Sequence, residues 1–320
     1  MHVLVPFASD VSEACRHVLA DLALPNLTRL LSTFEPAGRD EGDAAAFSPP
    51  HERALATAWG WRGGGDGALP FAARAAAADG IDVGRHAWGS FTPAHWQLGR
   101  DHVALLDPLE LKLDDAESRA LFESLRPLLE ADGFVAAWGA AGRWYAARAD
   151  FDGLATASLD RVVGRSVDLW LRHPRADASA PHRAASVALR RLQSEAQLLF
   201  HVHPVNEARE ERGDLVVNSF WLSGCGIAQP VDAAATPEVD DRLRAPLLAG
   251  DWASWAEAWR ALDAGPLARL LDAARAGTPA TLTLCGERSA ARFEARPRSL
   301  WQRLGSAWQK SEPHAVLAAL

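Results

Sequence analysis

Between His203 and Gly226 the chain reads H-P-V-N-E-A-R-E-E-R-G-D-L-V-V-N-S-F-W-L-S-G-C-G. A His-Pro turn, two Asn, two Arg, a short apolar strand (Val216, Val217, Phe220, Leu222) and a Gly-x-Gly turn crowd into this one stretch. Ordinary core segments carry fewer polar side chains between their apolar ones, because each buried polar group needs a partner. Arg209 and Arg212 are three apart and share a side if the stretch is helical. With Arg183, Arg190 and Arg191 they offer guanidinium forks suited to phosphate or carboxylate groups. The plain alternative is a solvated helix face of alternating Arg and Glu. His201-Val202-His203 has strand spacing and could pair on a metal, but no Asp or Cys stands at ligand spacing, which favours a hydrogen-bonded turn histidine. Gly224-x-Gly226 and Gly63-Gly64-Gly65 could cradle phosphate; neither is a P-loop, and turns are the simpler reading. Cys225, between two glycines, is read as a small residue in a tight turn, since a nucleophilic thiol would need a base or cation beside it.

The rest of the chain alternates between the two backbone periods. Val3 to Phe7 reads as a buried strand. Val11 to Phe34 reads as a helix broken by Pro25, and residues 35 to 48 as a loop. Ser48-Pro49-Pro50-His51-Glu52 has the composition of a helix start, and an Ala-rich helix follows from Leu69 to Ala78. Arg85 to Trp96 and His102 to Leu106 are strand candidates; Asp101-His102 is a poor acid–imidazole pair, because strand neighbours face opposite ways. Asp114 to Ala131 carries an apolar stripe (Leu121, Leu125, Leu128, Leu129), with Pro127 expected to kink it or end it early. Val135–Trp138 and Arg143–Ala147 form a hairpin pattern. Arg183 to Phe200 is a second amphipathic helix. Val239–Leu248, Trp252–Leu262 and Leu267–Ala276 read as helices, and Ala280–Leu284 as a strand ending in the Gly286-Glu287-Arg288-Ser289 turn. This order suggests an α/β sheet made from both chain ends, residues 1–96 plus 238–320, with an α+β domain of residues 97–237 inserted into it.

Composition narrows the partners. A net charge of -8 argues against a nucleic-acid surface. No run approaches ~18 apolar residues, so no membrane span is expected. MHVLVPFASD lacks a basic n-region, so no signal peptide is expected. Three widely spaced cysteines, Cys15, Cys225 and Cys285, fit reduced thiols in a cytoplasm. The thirteen Trp are expected to anchor cores or domain interfaces.

His203-Pro204-Val205-Asn206, Arg209, Gly213, Asn218 and Gly224-x-Gly226 resemble the HPVN…R…G…N…GxG segment of archaeal-type cofactor-independent phosphoglycerate mutases, members of the alkaline phosphatase superfamily. Leu113-Asp114-Asp115-Ala116-Glu117 and the hairpin around Trp138 and Trp144 look like the domain those enzymes insert into their core. Arg190-Arg191-Leu192-Gln193 and Ser219-Phe220-Trp221-Leu222-Ser223 are most similar to a bacterial offshoot, the RpfE-type regulatory-protein group. The resemblance covers most of residues 100–230. It implies an alkaline-phosphatase-like three-layer α/β core with an inserted α+β domain.

What the resemblance implies for chemistry is mostly loss. Family enzymes close their first strand with a metal-binding Asp; here the strand ends Pro6-Phe7-Ala8-Ser9-Asp10. The only counterpart to their nucleophilic Ser is Ser48, in an altered context. Their Gly-Asp-His turn is matched by Gly286-Glu287-Arg288, and an Arg has no acceptor with which to ligate a metal. The expectation is therefore a degenerate, non-catalytic protein with no cofactor. Its residues His203, Asn206, Arg209, Arg212 and Asn218 would bind a small phosphorylated or carboxylate ligand, or a regulatory protein would be its partner. The alternative is an active metal-dependent phosphomutase or phosphohydrolase using Mn or Mg on relocated ligands such as Asp10, Asp101 or Glu287, with Ser48 as nucleophile.

Overall fold

In the computed structural model residues 1–100, 102–171, 179–295 and 312–320 are described. Asp101 lies outside them. The fold is mixed α/β and divides into two compact units. One comprises Met1–Ala44, Pro49–Arg62 and Pro230–Leu320; the other comprises Ala45–Ser48 and Gly63–Gln229.

The first unit is built on a five-stranded mixed sheet. Strand β1 (His2–Val5) lies parallel to β10 (Thr281–Cys285) on one side and to β9 (Glu238–Val239) on the other. Antiparallel to β10 comes β11 (Ala290–Ala295), and β2 (Phe34–Asp40) completes the edge. Side chains alternate across β1, so Val3 and Val5 point to one face and Leu4 to the other. Val3 and Val5 join Leu282 and Leu284 under helices α1 (Glu13–Asp21), α2 (Pro25–Thr33), α11 (Trp252–Leu262) and α12 (Ala268–Arg275). Leu4 and Cys285 pack against Ala54 and Leu55 of α3 (Pro50–Ala58). Both faces of the sheet are therefore covered, which explains why β1 reads as an unbroken apolar run.

Two expectations fail here for the same reason. Residues 34–40 form an edge strand where a loop is expected, and Val239 pairs with β1 where a helix is expected. Only α10 (Arg244–Leu248) is helical in that second stretch. Long-range pairing overrides local composition in both. A π-helical turn, Asp263–Leu267, carries the chain through Pro266 and joins α11 to α12. Asp263 is buried and caps a distant helix: its carboxylate accepts from the backbone N–H of Leu27 at 2.7 Å and of Asn26 at 3.1 Å. That satisfies donors at the N-terminus of α2, where the chain itself supplies no side-chain cap.

The second unit holds an antiparallel sheet in the order β6 (Val135–Ala140), β7 (Arg143–Ala147), β3 (Ala87–Ala94) and β8 (Ser219–Ile227). A small ribbon, β4 (Trp96–Leu98) with β5 (Val103–Leu105), stands apart. Helices α5 (Asp115–Ala131) and α8 (Ala180–His201) cover one face over a core of Phe91, Phe122, Trp144, Phe200 and Phe220. Helix α4 (Phe71–Ala78) covers the other with Ala72, Ala73 and Ala76 against Trp88 and Tyr145. Strand β3 is central to this sheet and α4 packs on it, so both fall in the Gly63–Gln229 segment of the second unit. Helix α5 does not end at Pro127, which sits on its exposed side; Leu125 and Leu129 hold both halves to the core. Short helices α6 (Leu159–Val162) and α7 (Asp168–Leu171) lie in the connection before α8.

Gly224 sits within β8 at φ 67°, and a Cβ there would approach the backbone N of Ala72 to 2.9 Å. The Gly-x-Gly pair lets the start of α4 come close to the strand. All three cysteines are buried free thiols. Among the described residues no helix is long and apolar enough to cross a membrane.

Candidate functional site

The His203–Asn218 segment folds as a helix start followed by a return to the sheet. His201 ends α8, and His203 caps α9 (Pro204–Arg212), its ring nitrogen Nδ1 accepting from Val205 N–H at 3.2 Å. The two histidines thus belong to different helices and do not form a strand-spaced pair. Partial burial holds the His203 pKa below its usual value. Gly213 closes α9 in the left-handed region, φ 76°.

Asn206 is buried, and its amide links three parts of the unit. Nδ2 donates to the carbonyls of Phe200 at 2.8 Å and Val217 at 2.7 Å, and Oδ1 accepts from Val217 N–H at 3.0 Å. Arg209 is also buried. Its guanidinium donates to the Leu215 carbonyl at 2.7 Å, to the Leu111 carbonyl and to Glu117 of α5. Arg212, half exposed, bridges Glu117 at 2.6 Å and Asp214 at 2.9 Å. Asn218 exchanges two hydrogen bonds with the backbone of Trp96, at 2.7 and 2.9 Å. The segment behaves as a latch: its polar groups satisfy backbone groups that would otherwise be buried without partners. A groove of about 530 Å³ runs beside it, lined by Trp96, Leu98, Leu198, His201, Asn206 and Asn218.

At the carboxyl end of β1, Phe7 adopts φ 57°, an uncommon value for a residue with a Cβ. Its carbonyl accepts from Trp255 Nε1 at 3.2 Å. Beyond it, Asp10 accepts from Ser12 N–H at 2.6 Å, and Glu287 accepts from Val11 N–H at 3.2 Å. The two carboxylates therefore flank one short stretch. Cys15, whose Sγ lies 3.3 Å from Asp10 N, has its pKa pushed up to about 11, chiefly by burial. Among the described residues no three or more His, Cys, Asp or Glu side chains gather as a metal-holding group.

The β10–β11 turn is packed tightly. Leu320, 5% exposed, accepts from the backbone N–H of Arg288 at 3.0 Å and Ser289 at 2.7 Å. A Cβ on Gly286 would lie 2.5 Å from both Leu320 Cβ and Ser9 Oγ. Ser48 belongs to the second unit, where its buried hydroxyl accepts from Gly67 N–H at 2.8 Å and its own N–H donates to Asp66 at 2.8 Å.

No protein family's sequence pattern matches the chain, and no curated protein matches it. Solved structures do. A cofactor-independent phosphoglycerate mutase from Thermoplasma acidophilum DSM 1728 is 14% identical, with 100% of this chain and 98% of that one covered at a TM-score of 0.37. The PH0037 protein from Pyrococcus horikoshii is 13% identical, covering 92% of this chain and 87% of that one at a TM-score of 0.46.

A second concavity escaped the sequence reading. A cavity of about 390 Å³ within the second unit is lined by Phe47, Trp170, Trp221, Gln193 and Arg190, among others. Gln193 gave the one available signal, a polar residue in the inward stripe of α8 between Leu192 and Ala196. The aromatic walls come from three separate segments, which no spacing rule connects.

Proposed function

We propose that the chain is a phosphoglycerate-mutase-like protein that no longer transfers phosphoryl groups and serves a regulatory role, binding a small anion or a partner. The single observation behind this reading is the packing at the ends of β1 and β10. A Cβ on Gly286 would come within 2.5 Å of Leu320 Cβ and of Ser9 Oγ, so little room is left beside that glycine, and the Arg288 and Ser289 amides donate to the Leu320 carbonyl. Two divalent ions and the phosphoryl oxygens they clamp would need that space. Arg288, in the position where the family resemblance expects a ligand, is exposed and cationic. Asp10 and Glu287 do flank one stretch, and this supports a second reading, an active phosphomutase or phosphohydrolase using Mn or Mg. Those two side chains would supply carboxylates to an ion.

The test is turnover by the purified full chain. Interconversion of 2- and 3-phosphoglycerate and hydrolysis of phenyl phosphate are followed with added Mn²⁺ or Mg²⁺, then with chelator. The expected result is no metal-dependent turnover. Chelator-sensitive turnover that disappears in Asp10→Asn or Glu287→Gln would establish the second reading in its place.

A further inference from the structure

We propose that the cavity between α7, α8 and β8 binds a small aryl carboxylate or aryl phosphate, its ring held among Phe47, Trp170 and Trp221 and its anionic group met by Arg190 and Trp170 Nε1. This names the ligand class for the binding role proposed above and rests on that reading. At about 390 Å³ the cavity falls within the usual span for small-molecule sites, ~300–1,000 Å³. Three aromatic side chains line it, and flat rings recognise flat apolar ligands by stacking.

The polar groups are as informative as the rings. Trp170 is 8% exposed, and its buried Nε1–H has no acceptor among the described residues. A buried donor left in this state is unfavourable, and an acceptor on a ligand would relieve it. Trp221 differs: its Nε1–H already donates to the Ala157 carbonyl at 2.8 Å, which leaves its ring as the contacting surface. Arg190 lines the cavity with an exposed guanidinium that makes no ion pair among the described residues. Its neighbour Arg191 is fully engaged with Asp132, at 2.5 and 2.7 Å. Gln193 is buried, and its amide makes a long bond of 3.5 Å to the Phe220 carbonyl. Among the described residues that line it, the carboxylate is that of Asp66, which accepts from the backbone N–H groups of Phe47 and Ser48 at 2.9 and 2.8 Å. Donors are therefore in surplus, and an anion with an apolar body matches them.

The experiment uses the full chain with benzoate and phenyl phosphate as probes, and benzyl alcohol and inorganic phosphate as controls lacking charge or ring. Binding is read by saturation-transfer NMR and calorimetry, and phenol release is followed in parallel. Both aryl anions are expected to saturate with Kd on the order of 1 mM or tighter, and neither control should. Arg190→Gln should weaken binding ~10-fold, the loss of one charge-assisted contact. Trp170→Phe keeps an aromatic side chain, though a smaller one, and removes the N–H, and should weaken it several-fold. Unfolding midpoints confirm that both variants stay folded. Absence of saturable binding, or binding indifferent to both substitutions, overturns the site. Phenol release with intact benzoate binding would instead remove the non-catalytic reading and leave the site standing.

Discussion

Replacing Arg209 with Met separates a structural latch from a binding residue. Met keeps most of the aliphatic volume and removes the guanidinium. Three partners then change state: the carbonyls of Leu111 and Leu215 lose their donor, and Glu117 loses its buried counter-charge. Breaking a buried ion pair by deleting one member costs ~3–5 kcal/mol. Glu117 retains Arg212, so the lower end applies, about 3 kcal/mol. For a unit of this size each kcal/mol moves the midpoint by ~2–4 °C, giving a fall of about 6–12 °C. Arg212→Met is the matched control. Its side chain is 50% exposed and its pairs lie at the surface, so its loss should cost ~0–1 kcal/mol.

Denaturant titration combined with hydrogen exchange on peptides from α5 and α9 reports the unit concerned. Adding Glu117→Gln to Arg209→Met should restore part of that loss, ~0.5–1 kcal/mol, since the carboxylate no longer misses its buried partner while the two carbonyls still do. If Arg209→Met shifts stability by less than ~0.5 kcal/mol, the latch reading is wrong, and the guanidinium is available for a ligand.

Two further outcomes follow from the first unit. His2 has its pKa lowered from 6.5 to about 4, first by burial and then by the Arg292 charge. The unfolded chain therefore binds a proton that the folded one refuses. Stability should be complete above pH 6.5 and fall progressively as pH drops towards 4, and His2→Gln should flatten that slope in urea titrations between pH 7 and 5. Asp263→Ala should cost about 2 kcal/mol, because it strips the cap from α2, and hydrogen exchange at Asn26 and Leu27 should accelerate. Unchanged exchange there would contradict the capping role.

What the sequence could reveal was set by the range of the interaction. Helix α5 announces itself through Leu121, Leu125 and Leu129 and through Asp114, whose carboxylate caps Glu117 N–H at 2.8 Å; all of this lies within one segment. Strand β2 does not, because Pro36 and Gly38 resemble a turn until Pro36 pairs with Phe293 across the sheet. The same limit governs the site. Spacing puts Arg209 and Arg212 on one side of a helix, which the structure also has. Whether a guanidinium there meets a ligand or a carbonyl depends on Leu111, far back in the chain. Thus two arginines one turn apart on the same helix separate into one buried clasp and one surface pair.

That separation bears on how a family-like motif should be weighed. Asn206 ties the carbonyl of Phe200, in the last turns of α8, to Val217, just before β8. Helix α8 and strand β8 are also two walls of the aryl-anion cavity, through Gln193 and Arg190 on one and Trp221 and Leu222 on the other. A residue that fixes the spacing of two walls affects a ligand between them without touching it. The HPVN segment can therefore matter for binding while every one of its buried polar atoms is occupied by the fold. On this reasoning its presence is informative about the geometry of the second unit. It is silent about phosphoryl chemistry, which would depend on Asp10, Ser48 and the Gly286–Ser289 turn and on none of the atoms that Asn206 and Arg209 hold.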